Sequence, residues 1–218
     1  MARGIRLEQG EIAVRLASVR DAKQLKQLIV ENRSWLRPWE ATNPHAPNNF
    51  DVKGQLRILR NYYKEGLCIP FVIEYGDEVV GQLNVSSIIH GSLSSAVIGY
   101  WISPAVAGLG ITTTAVALVC DYLFEQIGLH RVEIDIRPEN LSSLRVVQKL
   151  GFRYEGLKER YIHINGAWRD HYVFALTSEE VGVGLTKRWM SGAIVEPKYP
   201  FSTKTVKHTE RDDGEMGS

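Results

Sequence analysis

The chain has little cysteine: in 218 residues only Cys68 and Cys120 occur, far apart and without metal-ligand spacing. They read as two small reduced core residues, and no metal is expected. An excess of one charge is also missing. With 26 basic and 25 acidic residues the formal charge is +1, so the chain has no broad field for nucleic acid or anionic membrane, and any polyanion has to be met locally. No stretch approaches the roughly 20 apolar residues of a membrane span. The opening MARGIRLEQGEIAV has no apolar core of the secretory kind, so a cytoplasmic location is expected. Internal repeats are absent. So are two familiar nucleotide loops: Gly108 and Gly110 are followed by Thr113 where a dinucleotide fingerprint needs a third glycine, and by Ile111 where a Walker loop needs lysine.

What the chain does have is a legible order of elements. Residues 12–16 read as a strand, and residues 21–32, with Ala22, Leu25, Leu28 and Ile29 at helical spacing, as an amphipathic helix. A Pro/Asn-rich break, NPHAPNNF over residues 43–50, precedes a second helix at 51–65 that closes at Gly66. Residues 68–75 and 78–85 flank a Gly76-Asp77 turn as a hairpin, and 94–102 adds a third strand to this antiparallel meander. After the glycines, Ala115, Leu118, Val119, Tyr122 and Leu123 trace an apolar stripe ending near Gly128, and a strand follows at 131–137. A helical crossover makes the strands before and after it parallel. Pro138 ends that strand, ENLSSLRVVQKLGF reads as a short helix stopped by Gly151, and strands 152–164 and 167–177 turn at Asn165-Gly166. The fold class is therefore mixed α/β: antiparallel N-terminal strands, a central βαβα core and a C-terminal hairpin in one domain over residues 1–177. Residues 178–218 form an extension whose polar end, from residue 198 on, is expected to be a loose tail or docking arm.

The stretch GYWISPAVAGLGITTTA joins an apolar run, a Ser103-Pro104 break, two glycines and a helix. The first turn of a helix carries unpaired NH groups and about half a positive charge, and glycines let an anion approach the backbone. A phosphate cradle is one reading of these residues, and a plain strand-to-helix turn is the other.

This stretch, followed after a strand by RPENLSSLRVVQKLGF, resembles the acetyl-CoA core of the GNAT acetyltransferase superfamily. ENRSWLRPWE near the start and INGAWRDHYVFAL near the end are similar to segments of the bacterial ribosomal-protein-alanine N-acetyltransferases, so the likeness spans roughly residues 10–177. The family's loop, Arg/Gln-x-x-Gly-x-Gly/Ala, falls on Ala107, Gly110 and Thr112, and departs at the first and last of these. The resemblance implies a diphosphate held by main-chain NH groups of Gly108, Leu109, Gly110, Ile111, Thr112 and Thr113, donors that do not depend on residue identity. It implies a pantetheine arm lying along Tyr100, Trp101 and Ile102 as an added strand. Asn140, which by itself reads as an N-cap with Ser143 three residues on, would also reach that arm, and Ser143 would donate to the departing thiolate.

The acceptor side is implied in the same way. Trp35, Trp39 and Glu40 would wall the groove, Glu40 holding the incoming ammonium, with Trp168 and Asp170 following the last turn. No dedicated base stands out: Ile162 and Val147 occupy positions where relatives carry a glutamate or a tyrosine, and Asp135 reads equally as the outer face of an alternating strand. A water chain to Glu40, Asp135 or Asp170, or attack by positioning alone, remains open. His171 reads as structural. The implied function is acetyl transfer from acetyl-CoA to the N-terminal α-amine of a protein, with a ribosomal protein starting in Ala or Ser as partner. A small-molecule amine as acceptor, or a ribosome-assembly role in which catalysis is incidental, are the alternatives.

Overall fold

A computed structural model describes residues 4–45 and 51–203. It contains one eight-stranded mixed sheet in the order β1-β2-β3-β4-β5-β6-β8-β7. The antiparallel part comprises β1 (Arg6–Gln9), β2 (Ile12–Leu16), β3 (Ile69–Tyr75), β4 (Glu78–Ile89) and β5 (Ser95–Ile102). Helix α1 (Ala22–Glu31), the single turn α2 (Arg33–Leu36) and α3 (Val52–Lys64) intervene between β2 and β3. Asp51 starts α3 by accepting from the Gly54 NH at 2.9 Å, the side-chain cap that a helix needs where its first NH groups have no internal partner. The Pro/Asn-rich break falls partly outside the described residues, which resume at Asp51.

The crossover is α4 (Ile111–Glu125), and it brings β6 (Arg131–Ile136) in parallel to β5. The short helix α5 (Leu141–Lys149) and the hairpin of β7 (Arg153–Ile164) and β8 (Ala167–Thr177) follow. Parallel pairing between β5 and β6 covers only Ser95–Arg131, Ala96–Val132 and Val97–Glu133. Beyond those pairs each strand keeps its other neighbour, β4 or β8, and the two halves of the sheet splay apart.

Alternation along the strands builds two cores. Phe71, Ile73, Leu83, Val85 and Ile98 face α4, whose Ile111, Ala115, Val116, Val119 and Cys120 are all fully buried. On the other face Val72 and Val79 pack with Leu25 of α1 and with Val52 and Leu56 of α3.

The segment after β8 differs from the sequence expectation. Two short helices, α6 (Ser178–Val181) and α7 (Leu185–Met190), pack back on the domain, with the Asp121 carboxylate of α4 accepting from the Leu185 and Thr186 NH groups at 2.5 and 2.9 Å. From there residues 191–203 run as a strap over α5 and the final hairpin. The Tyr199 hydroxyl donates to the Phe152 carbonyl at 2.7 Å, and Phe201 stacks on Tyr172 with ring centres 4.1 Å apart. The amide of Gln148 ties α5 to the strap through Pro197 O at 3.0 Å and the Thr203 hydroxyl at 2.6 Å. The physical reason is aromatic burial without periodicity: Tyr199 and Phe201 pack on the hairpin from a segment that is neither helix nor strand. Residues 204–218 lie outside the described part.

Candidate functional site

The splay opens a cavity of about 800 Å³ that reaches from the loop before α4, past β5, to the segment after α2. Its floor and walls follow from local structure. The β6-facing edge of residues 98–102 has no strand partner. The Ser103 NH donates to Val80 O at 2.8 Å, and Pro104–Val106 make one tight turn. Gly108 and Gly110 then sit at φ +86° and +83°, backbone positions that glycine adopts without strain. Gly110 is the N-cap of α4, and no side chain caps the helix. The NH groups of residues 108–113 make no hydrogen bond to the described protein. A fifteen-residue helix thus presents an uncovered, partly positive end to the cavity.

At the start of α5 the Asn140 side chain accepts from the Ser143 NH at 3.2 Å, which is the capping role read from sequence. Across the splay the Tyr100 hydroxyl, its pKa pushed up by burial, remains protonated and donates to Ser143 O over a long 3.5 Å. Ser143 and Asn140 line the cavity together with Tyr100, Trp101, Ile102, Gly108, Gly110, Ile111, Thr112 and Thr113. Leu109 does not: its side chain is 64% exposed on the outside of the loop.

The opposite wall is Trp35, Trp39 and Glu40. Trp35 Nε1 donates to the Ile102 carbonyl at 3.2 Å, Arg137 lies over the Trp39 ring at 5.4 Å, and Glu40 is ion-paired with Arg33. This wall is pinned to the final hairpin by the Ala41–Ile164 bridge and by the Thr42 NH on His163 O at 2.9 Å.

Three expected site residues are not brought to the cavity. Asp135 does not line the cavity: its buried carboxylate accepts from Lys158 Nζ at 3.0 Å; burial raises its pKa and the lysine draws it back. Asp170 accepts from the Arg160 NH at 2.7 Å and braces a bulge in β7. Trp168 stands 54% exposed on the hairpin, edge-on to His163. His171 is buried with Nδ1 at 2.9 Å from Arg169 O, and burial holds its pKa down, the structural role expected of it.

Sequence reasoning missed Asn84, Ser86 and Gly99 on the cavity floor, and Glu139, Arg145 and Lys149 beside the loop. Polar alternation in Gln82, Asn84 and Ser86 was the available signal. Among the described residues no cluster could hold a metal ion, and no helix is long and apolar enough to cross a membrane.

Comparison with known proteins bears directly on this arrangement. Residues 12–153 match the model of the acetyltransferase (GNAT) domain. The chain is 35% identical over 174 residues to the probable N-acetyltransferase YjcK of Bacillus subtilis, covering 78% of this chain and 95% of that protein. It is 30% identical over 181 residues to the ribosomal protein uS5-alanine N-acetyltransferase of Escherichia coli, covering 81% and 92%. Among solved structures, Mycobacterium smegmatis RimJ in complex with CoA-disulfide superposes with a TM-score of 0.80 at 35% identity, over 87% of this chain and 94% of that one. Acetyl-CoA is the cosubstrate of such enzymes, and the mixed α/β domain with its eight-stranded sheet matches the GNAT fold of these neighbours. On domain match, sequence identity and superposition together, the chain belongs to the GNAT N-acetyltransferases.

Proposed function

We propose that this enzyme transfers the acetyl group to the N-terminal α-amine of a protein, a ribosomal protein beginning with Ala or Ser, in the cytoplasm. The observation that carries the reading is the continuous cavity between an uncapped helix end and an aromatic wall holding one carboxylate. Within it the two carboxylates Glu40 and Glu139 are matched by Arg145 and Lys149, so it is not the acidic chamber a polyamine needs. The names of the E. coli relative and of the Vibrio fischeri ribosomal-protein-S5-alanine acetyltransferase structure, 30% identical to this chain, support a ribosomal acceptor.

Acetyl-CoA fits the residues present: NH donors that have no protein partner await a diphosphate, and an unpaired strand edge awaits the pantetheine amides. It supplies the activated acyl group. The loop of residues 108–113 holds and orients, and residues 100–102 extend the sheet onto the incoming arm. The hydroxyl of Ser143 donates to sulfur as the carbon–sulfur bond breaks. Glu40 receives the ammonium, and Trp35 and Trp39 exclude water around it. Residues 1–177 carry these groups, and the extension from Ser178 supports α5 from outside. A free α-amine has a pKa of about 7.7–8.0, so roughly a third is neutral at about pH 7.5, and positioning suffices without a strong base. Asp135 has no part in this reading, because it does not line the cavity and its carboxylate is paired with Lys158.

The test incubates the protein with acetyl-CoA and short peptides starting in Ala or Ser, follows thiol release, and locates the acetyl group by fragment mass spectrometry. Acetyl on the first nitrogen is expected. Turnover of small amines with none of the peptides contradicts the reading.

A further inference from the structure

Two glycines on the paired strands β4 and β5 have opposite reasons for being there, and the second lines the cavity. Gly81 in β4 is required by packing, since a Cβ would lie 2.3 Å from the Trp101 carbonyl oxygen. Gly99 in β5 is not: no atom lies within 4 Å of where its Cβ would be, and its φ is outside the left-handed region. Glycine in a strand interior costs stability through backbone entropy, and where the protein's own packing does not ask for it, it marks a place that another chain approaches closely. Gly99 lines the cavity, so the vacant space above it belongs to a ligand.

Directly across the ladder from Gly99 is Asn84. Leu83 and Val85 on either side are fully buried toward α4, so alternation turns Asn84 to the opposite face, the one where Trp101 packs near Leu25, Val72 and Val79. That is the α1–α2 side, away from the glycine loop and toward Trp35. The Asn84 carbonyl oxygen accepts from Gln82 Nε2 at 3.3 Å, which leaves its Nδ2 donors without a partner among the described residues on a side chain that lines the cavity. Ser86, two residues on and exposed, continues the same polar row toward solvent.

We infer that Asn84 and Gly99 form the seat of the acceptor's first residue: its small side chain and α-carbon rest over Gly99, and the Asn84 amide donates to its carbonyl oxygen. The acceptor class follows from that geometry. An amine one carbon away from an amide carbonyl, which is a peptide N-terminus, satisfies the seat; a polyamine or a lysine side chain has no such carbonyl. The inference rests on the α-amine reading above and adds which groups select it.

Steady-state kinetics with an Ala-starting peptide and with isopropylamine, which carries no carbonyl, test it on the wild type, Asn84→Ala, Asn84→Gln and Gly99→Val. Gly99→Val adds a Cβ that no atom approaches within 4 Å, on a strand that favours β-branched residues, and an unchanged urea midpoint checks that the fold is kept. Asn84→Ala is expected to raise the peptide KM about tenfold, the worth of one hydrogen bond, with Asn84→Gln recovering part of it. Gly99→Val is expected to block the peptide, while coenzyme A affinity by calorimetry stays within about twofold in every variant and isopropylamine turnover is untouched by Asn84→Ala. Peptide KM unchanged in both Asn84→Ala and Gly99→Val overturns the seat, as does an equal loss with isopropylamine. Failure of the α-amine reading looks different: the wild type itself then acetylates no peptide.

Discussion

Glu40 and Asp135 show how burial and partners separate two carboxylates that look interchangeable in sequence. Glu40 is drawn to the cavity by α2 and shares its charge with Arg33, whereas Asp135 spends its oxygens on Lys158 inside the sheet. Where positioning alone carries the attack, the ionisation that matters is the acceptor's own. We therefore expect kcat/KM to rise with pH as the acceptor amine loses its proton and to level off above about pH 8. Acceptors of lower amine pKa should move that limb down by the same amount. A limb that stays at one pH whichever acceptor is used would place the titrating base on the protein. The cap at Asn140 illustrates a different lesson: its carbonyl oxygen is occupied by Ser143 NH, so only the amide nitrogen is free to meet a ligand, and a residue read as either cap or binder can be both.

At the scale of elements, α5 is the piece whose position is set from outside the site. It carries Asn140 and Ser143 on one end, and the strap holds the other through Gln148, Pro197 and Thr203. Tyr199 closes the strap on Phe152, the residue that follows α5 and the Gly151 turn. Tyr199→Phe leaves that carbonyl without its donor and is expected to cost about 1–2 kcal/mol, read as a lower urea midpoint with an unchanged slope. An unchanged midpoint would show that the strap is not fastened there. This strap was illegible in the sequence because its anchors, Tyr199 and Phe201, lie in a stretch that keeps neither period of regular structure. Strand β1 escaped for a related reason: Arg6 and Glu8 point outward and only Leu7 contacts the core, so no apolar run announces it. Elements with their own periodicity, α1, α3, α5 and the final hairpin, were legible to within a residue or two. The strand-to-helix turn at Gly108 and Gly110 was legible as well, because it is local to one strand, one turn and one helix. Asn84 and Gly99 were not, since what joins them is a ladder register between strands, and Asn84 acquires meaning only from the glycine opposite.

Over the whole molecule, one topological fact organises the rest: a parallel pair that lasts three residues and then opens. The α4 side of the opening carries the main-chain donors of the glycine loop, and the α1–α2 side carries Trp35, Trp39 and the paired carboxylate of Glu40 above the polar row of Asn84 and Ser86. The sheet is thus a partition through which one ligand reaches the other. The central claim is that main-chain groups of the glycine loop, rather than any side chain, anchor the coenzyme. Titration calorimetry of coenzyme A against the wild type, Gly110→Asp and Gly110→Asn tests it most directly, since Asp and Asn tolerate the left-handed backbone of Gly110 equally and differ in charge. The account predicts one-to-one binding to the wild type, retained though weakened in Gly110→Asn and lost in Gly110→Asp. Equal affinity of Gly110→Asp and the wild type would contradict it.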